Sequence, residues 1–201
     1  MLLNDKQITT LCGADNPMIS PFIPIKLTEY IKTHQDGTII SKTKVPSYGL
    51  TSCGYDVRLN PNEFKIFNSS PQYRYIRLGN NYSEALVKFA PSSDGFVYIP
   101  ANSYALGVTL ERFNIPNNIC GRCFGKSTLA RVGIIVNVTP LEPGWSGYLT
   151  VEISNSCPIP VEIPINGGIA QVQFERIEEP KWNYGKGKYQ NQGEEVTEAK
   201  L

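Results

Sequence analysis

Proline and glycine punctuate this chain, with 15 prolines and 17 glycines in 201 residues, one turn signal for roughly every ten residues of extended pattern. The runs between those stops are rich in Val, Ile, Tyr, Phe and Thr. They are Phe96-Val-Tyr-Ile-Pro100, Tyr104 to Leu110, Gly133 to Val138, Tyr148 to Ser154, Val161 to Ile165 and Ile169 to Phe174. Branched and aromatic side chains suit a pleated surface, and the flanking Pro, Gly, Asn and Ser end each run. No helix-length periodic segment separates these strands, so a parallel βαβ sheet is not expected. An all-β-dominated fold follows, a distorted antiparallel β-barrel or a jelly-roll-like sandwich. Helix is expected only as short N-terminal pieces. One covers residues 4–12, with Asn4 or Asp5 capping and Ile8 and Leu11 on one face. A second runs from Thr28 to His34 and ends at Asp36-Gly37.

A chain of 201 residues is long enough for one well-cored domain and short for two. Residues 1–180 are read as that domain, with its N-terminal helical segment. From Lys181 to Leu201 the apolar pattern lapses, and Lys186, Lys188 and Gln192 lie among Gly, Asn and Tyr. Such a composition cannot bury a core, so residues 181–201 are expected to be a flexible C-terminal tail, either frayed or ordering over an anionic ligand. The formal net charge of +1 announces no nucleic-acid partner. No apolar run reaches membrane-spanning length and no leader pattern opens the chain, so a cytoplasmic protein without a membrane partner is expected. Five cysteines then read as reduced, partly buried thiols.

The span from Gly125 to Glu152 carries most of the chemistry. Gly125-Lys126-Ser127-Thr128 offers backbone N–H groups, two hydroxyls and a lysine, an anion cradle in any fold. It is no P-loop: Gly121 and Gly125 enclose one residue too few, and no long helix follows. Cys120-Gly-Arg-Cys123 lacks a second ligand pair, and residues three apart on a strand face opposite ways, so zinc is not expected there. His34 is the only histidine, which makes Ser-His-Asp or Cys-His catalysis improbable. Acid–base work falls to a carboxylate, with Glu142 and Glu152 the candidates near the cradle. In the strand 148–154, Leu149, Val151 and Ile153 share one face and Thr150, Glu152 and Ser154 the other. Alternation alone would leave Glu152 on a solvated face; Arg131 and the cradle nearby argue for a cleft.

Several stretches together resemble the dCTP deaminase family. They are Val45-Pro-Ser-Tyr-Gly-Leu-Thr-Ser-Cys-Gly-Tyr-Asp-Val-Arg58, Ile99-Pro-Ala-Asn-Ser-Tyr-Ala-Leu106, Gly125 to Arg131, and Val138-Thr-Pro-Leu-Glu-Pro-Gly-Trp145. Leu149 to Asn155, Gly168 to Val172 and Gly187 to Gln192 continue the match, which runs in unbroken order from near Met18 to Gln192. The resemblance implies a dUTPase-like distorted barrel, assembled as a homotrimer with active sites between subunits. It implies Glu152 as general base and proton shuttle for water attacking C4 of cytosine, with Ser127 and Arg131 positioning water and pyrimidine and Arg131 holding Glu152. Lys126, Thr128, Tyr184, Lys188 and Gln192 would hold the triphosphate, and Thr139, Pro140, Glu142 and Gln171 would complete the substrate-binding set. The tail would close over the nucleotide, and Mg²⁺ would accompany the triphosphate, with no zinc. Three departures stand out: Lys126 where many members have Arg, a shorter Thr139–Pro143 loop, and a shortened segment ahead of Lys188.

Two other readings compete. A dUTPase, or an enzyme carrying dCTP through to dUMP, would use a carboxylate at Glu142, where diphosphatases have Asp. A non-catalytic nucleotide-binding trimer would share the fold, yet gains nothing from joining Ser127, Arg131 and Glu152.

Overall fold

A computed structural model describes residues 1–68, 75–137 and 139–201. Val138, the last residue of the run expected from Gly133, lies outside them. A single helix of two turns, α1 (Asp5–Cys12), opens the chain. Asn4 caps it: the Asn4 side chain accepts from Gln7 N, and the Gln7 side chain accepts from Asn4 N. That reciprocal pair satisfies two donors which the first turn would otherwise leave orphaned. Ile8 and Cys12 are the buried residues of its inner face, while Leu11 packs partly against the core.

Strands follow in chain order: β1 (Ile19–Ser20), β2 (Lys26–Thr33), β3 (Ile39–Thr51), β4 (Gly54–Phe67), β5 (Leu86–Lys88) and β6 (Phe96–Ile99). Then come β7 (Ser103–Asn114), β8 (Ile119–Gly125), β9 (Ile134–Asn137), β10 (Ser146–Asn155), β11 (Val161–Pro164) and β12 (Gly168–Arg176). A four-residue helix, α2 (Ser127–Ala130), joins β8 to β9. The expected second helix, Thr28 to His34, is instead β2, an arm of a hairpin with β3. Its Thr28, Tyr30, Ile31 and Thr33 favour strands, and β3 supplies a ladder that local pattern cannot foresee. Asp36-Gly37 forms the hairpin turn, with His34 N bonded to Thr38 O at 2.8 Å.

Every pairing between these strands is antiparallel. β4 is the corner of the architecture. Its first half pairs with β12 and its second half with β7, with a register shift between Leu59 and Phe64. Such a bulged strand lets one sheet turn into the next. The order β8–β12–β4–β7–β10 is drawn into a ring by a bridge between Gly121 of β8 and Leu141, in the loop ahead of β10. The distorted antiparallel barrel expected from the sequence is the observed fold.

Inward residues of β4, β7, β8, β10 and β12 fill one core. Tyr55, Phe64, Phe113 and Phe174 are its largest fully buried side chains, and Val151 and Ile153 of β10 are fully buried beside them. At roughly 1.5–3 kcal/mol for each large apolar side chain, this burial sets which face of β10 points inward. A second, smaller cluster of Tyr82, Leu86, Leu106, Val108 and Val196 lies elsewhere. No helix among the described residues is long and apolar enough to cross a membrane.

Candidate active site

The period of two on β10 decides where Glu152 goes. Leu149, Val151 and Ile153 are buried in the main core, so Glu152 must face the other way. That other side is a cleft. Glu152 lies opposite Leu106 on β7 and Asn137 on β9, and Leu106 belongs to the second apolar cluster. The Glu152 Oε2 atom is buried and has no hydrogen-bond partner. Burial pushes its carboxyl up from 4.5 to about 6, against a smaller downward pull from its own backbone N–H. A charged carboxylate shorn of water favours its neutral form, which is the cause of the rise.

Glu152 lines a cavity of about 550 Å³. The loop residues Thr139, Pro140, Leu141 and Glu142 form one wall, and Trp145, Leu149 and Thr150 continue it. Tyr184, Tyr189 and Gln192 from the C-terminal segment, together with Phe67, Tyr82, Tyr104 and Leu106, complete most of the rest. The loop is held by the Gly121–Leu141 bridge, with both N–H···O bonds made, at 2.8 and 2.9 Å. A Cβ on Gly121 would stand 2.9 Å from Leu141 Cβ, so only glycine allows that approach. The middle of the Cys120–Cys123 motif therefore serves the loop. Burial raises the Cys120 thiol and pushes Cys123 up to about 12, the latter with help from the Glu152 charge, which keeps both protonated at neutral pH.

Residues from Lys181 onward are laid along the body of the chain. Trp145 Nε1 donates to Tyr189 O at 2.9 Å, Ser146 N to Gln190 Oε1 at 3.0 Å and Tyr148 N to Gln192 O at 3.0 Å. Gln192 Nε2 donates to Thr150 Oγ1, and Tyr184 N to Pro143 O at 2.9 Å. Lys188 is exposed, its ammonium on Lys200 O at 2.7 Å and over the Tyr189 ring.

The sequence-derived site falls into two groups. Glu152, Thr139, Pro140, Glu142, Tyr184 and Gln192 meet at the cavity. Lys126, Ser127, Thr128, Arg131, Gln171 and Lys188 do not line it. Ser127 and Thr128 lie exposed on α2, and Arg131 is its C-terminal cap. Arg131 makes no ion pair with Glu152 within the chain, so the expected guanidinium restraint on that carboxyl does not operate there. Phe124, Val132 and Ile135, next to this group in sequence, are 46%, 48% and 52% exposed.

Lys126 is committed inward. Its ammonium sits 2.5 Å from Asp56 Oδ2 and 3.1 Å from Ser47 Oγ, and Gln171 Nε2 donates to Asp56 Oδ1 at 3.0 Å. Asp56 is 1% exposed, and an unpaired carboxylate at that depth would be costly. Sequence reasoning missed Asp56 and Ser47. The signal was a lone acid in the run Gly54-Tyr-Asp-Val57, whose neighbours are all core residues. Tyr82, Tyr104, Thr197 and Ala199 were missed too, because their meeting with Glu152 depends on contacts far apart in sequence.

Comparison with known proteins shows the family of the chain. The family model described as dCTP deaminase-like matches residues 25–177. The dCTP deaminase of Chlamydia abortus is 47% identical over 152 residues, covering 74% of this chain and 77% of that protein. That of Burkholderia mallei is 40% identical over 192 residues, covering 94% of each. A crystal structure of 2'-deoxycytidine 5'-triphosphate deaminase from Agrobacterium tumefaciens shares the fold, with a TM-score of 0.57 at 15% identity. The match covers 87% of this chain and 47% of that longer one. The chain belongs to the dCTP deaminase-like family.

Proposed function

We propose that this protein hydrolyses the C4–amino bond of dCTP, giving dUTP and ammonia, with Glu152 as the proton carrier. The observation that carries this reading is the Glu152 carboxyl: half-buried, raised to about 6 and with Oε2 buried and unpartnered, on the wall of a cavity of about 550 Å³. A carboxyl poised near neutrality takes and returns protons with comparable ease. Glu152 accepts a proton from water as its oxygen bonds to C4, and delivers one to N3. Collapse of the tetrahedral centre breaks the C4–N bond, and protons passed through Glu152 let the amine leave as ammonia. The sequence of transfers is net neutral, with water consumed and ammonia released.

Ser127 and Arg131 act on this centre from a neighbouring copy in a homotrimer. Two features support that arrangement: the two groups of site residues are separate within one chain, and exposed Phe124, Val132 and Ile135 flank the Ser127–Arg131 segment. Arg131 brought in this way would hold the ionised Glu152 and orient the pyrimidine. Lys188 and Gln192 of the C-terminal segment would hold the triphosphate, while Lys126 with Asp56 and Gln171 stiffens the cradle behind Ser127. Mg²⁺ would be carried on the phosphate oxygens of the nucleotide. The ion would neutralise phosphate charge, and Glu142 is the cavity carboxylate available to its hydration shell.

Glu142 on the same wall also favours a second reading, in which dUTP is hydrolysed further to dUMP and pyrophosphate. One experiment separates the two. Incubation with dCTP and magnesium is expected to release ammonia without pyrophosphate. Both products would establish the bifunctional enzyme, and neither would leave a nucleotide-binding protein.

A further inference from the structure

Tyr82, Tyr104, Tyr184 and Tyr189 all line the Glu152 cavity. Backbone donors occupy the hydroxyls of three. Tyr82 Oη accepts from Ala199 N at 2.9 Å, Tyr184 Oη from Tyr189 N at 3.4 Å and Tyr189 Oη from Lys200 N at 2.9 Å. The Tyr104 hydroxyl makes no hydrogen bond among the described residues. Its place in the sheet brings it to Glu152. On the face of β7 and β10 that meets the cavity, Leu106 stands opposite Glu152 and Tyr104 opposite Ser154, so Tyr104 is a diagonal neighbour of Glu152. Such diagonal positions lie about 7–8 Å apart, within reach of aromatic and long side chains. Toward β4, the register of the Ile66–Ala105 pair sets Phe67 against Tyr104, and the two rings are 5.7 Å apart at 56°. Phe67 in turn stacks on Tyr82 at 5.9 Å. The Tyr104 ring is thus braced while its hydroxyl is free, beside a buried Glu152 Oε2 that also lacks a partner.

We infer that Tyr104 is a positioning residue: its hydroxyl donates to one bridging water, which donates to the ionised Glu152 carboxyl and steadies it for proton transfer. This rests on Glu152 being the proton carrier. A cavity of about 550 Å³ has room for the water, and the phenol and the carboxylate supply it with a donor and an acceptor. Leu106, opposite Glu152, offers no side-chain polar atom, and Thr150 on the same face is bonded to Gln192. A donor that meets only the charged form favours that form, so the bridge opposes the rise that burial imposes. Burial, and then the Glu152 charge, raise the Tyr104 phenol, which keeps it a donor near pH 7. The other titratable or charged groups around Glu152 are Cys123 from β8, Glu142 from the loop, Tyr82, and Tyr184 and Tyr189 from the C-terminal segment, which also brings Glu198 and Lys200. Arg131 of a neighbouring copy joins them in the proposed homotrimer. Deleting the Tyr104 hydroxyl leaves all of these in place.

The test compares the full chain with Tyr104→Phe, which keeps the ring against Phe67 and deletes only the hydroxyl, and with Tyr104→Leu, which deletes both. Glu152 is followed by the ¹³C resonance of its side-chain carboxyl across pH, assigned by its loss in Glu152→Gln, alongside steady-state kinetics with dCTP and magnesium. In both Tyr104 variants the carboxyl is expected to titrate higher by about half a unit or more, because its charged form has lost a donor. The acid limb of kcat/KM should move up with it. At pH 5 kcat/KM should fall by about threefold or more, with a smaller loss at pH 8, where KM should change by less than about threefold. A Tyr104→Phe carboxyl that titrates unmoved or lower would overturn the bridge. So would a change confined to Tyr104→Leu, which marks ring packing alone. If the full chain releases no ammonia, the proposed activity fails, while the carboxyl titration still decides the role of Tyr104.

Discussion

Replacing Glu152 by glutamine is expected to make the free protein more stable while abolishing turnover. The carboxyl rises from 4.5 to about 6 on folding, chiefly because burial strips its water. At about 1.4 kcal/mol per unit, ionised Glu152 costs the folded state about 2 kcal/mol, and nearer 1 kcal/mol once its partial exposure is discounted. The sign follows from proton counts. Between the two values the folded state holds more protons than the unfolded chain, so stability falls as pH rises through that window. The loss is absent below the unfolded value of 4.5 and complete above about 6. Glutamine has the same shape and no charge to desolvate. Its amide still lacks a partner for one atom, a cost common to all pH values, so the informative quantity is a difference of differences. Urea unfolding of both proteins at pH 4 and pH 7.5 should show the advantage of Glu152→Gln growing by about 1–2 kcal/mol across that range. Near neutral pH this corresponds to about 2–8 °C in Tm. Ammonia release should drop by at least about a hundredfold while dCTP binding persists. An advantage that stays constant or shrinks with rising pH would refute the desolvated carboxylate and the proton-shuttle role resting on it.

If the site is shared between copies, Glu152→Gln and Arg131→Ala chains, each inactive alone, should recover activity when unfolded and refolded together. Random trimers would rebuild about one quarter of sites, measured as ammonia release per chain. Asp56→Ala should destabilise the fold by about 3 kcal/mol in urea, since it strands the Lys126 ammonium, whose side chain is 11% exposed. Adding Lys126→Met should restore more than half of that loss. Gly147→Ala should displace the C-terminal segment and expose it to limited proteolysis, because φ is +142° there and the new Cβ would stand 2.7 Å from Gln192 N.

Alternation made much of the fold legible. The runs at 96–100, 104–110, 148–154, 161–165 and 169–174 all became strands; 104–110, 148–154 and 169–174 are extended where hydrogen-bonded partners carried the ladder into less typical residues, and the other two end one residue early. The helix at 4–12 was readable from the capping residue and from Ile8 and Leu11 on one face, and the structure makes Asn4 the cap. Thr28–His34 misled because its apolar residues fit either period, and β3 settled the choice from outside the segment. The tail misled differently. Its composition promises no core, yet Val196 is buried in one supplied by Tyr82, Leu86 and Leu106, residues far away along the chain.

The residues themselves fixed that this chain would form antiparallel strands and that Glu152 would stand on the opposite face from Val151 and Ile153, because side-chain direction along a strand is a local property with a period of two. They carried the family resemblance as well, since the matching motifs are contiguous stretches. Whether the Glu152 face met solvent or a cleft was settled only in three dimensions. It took β7, the Thr139–Glu142 loop and the returning C-terminus, converging from distant parts of the chain, to strip water from one carboxyl and raise its pKa. Desolvation is a sum over everything that surrounds a group, and no single segment of sequence contains that sum.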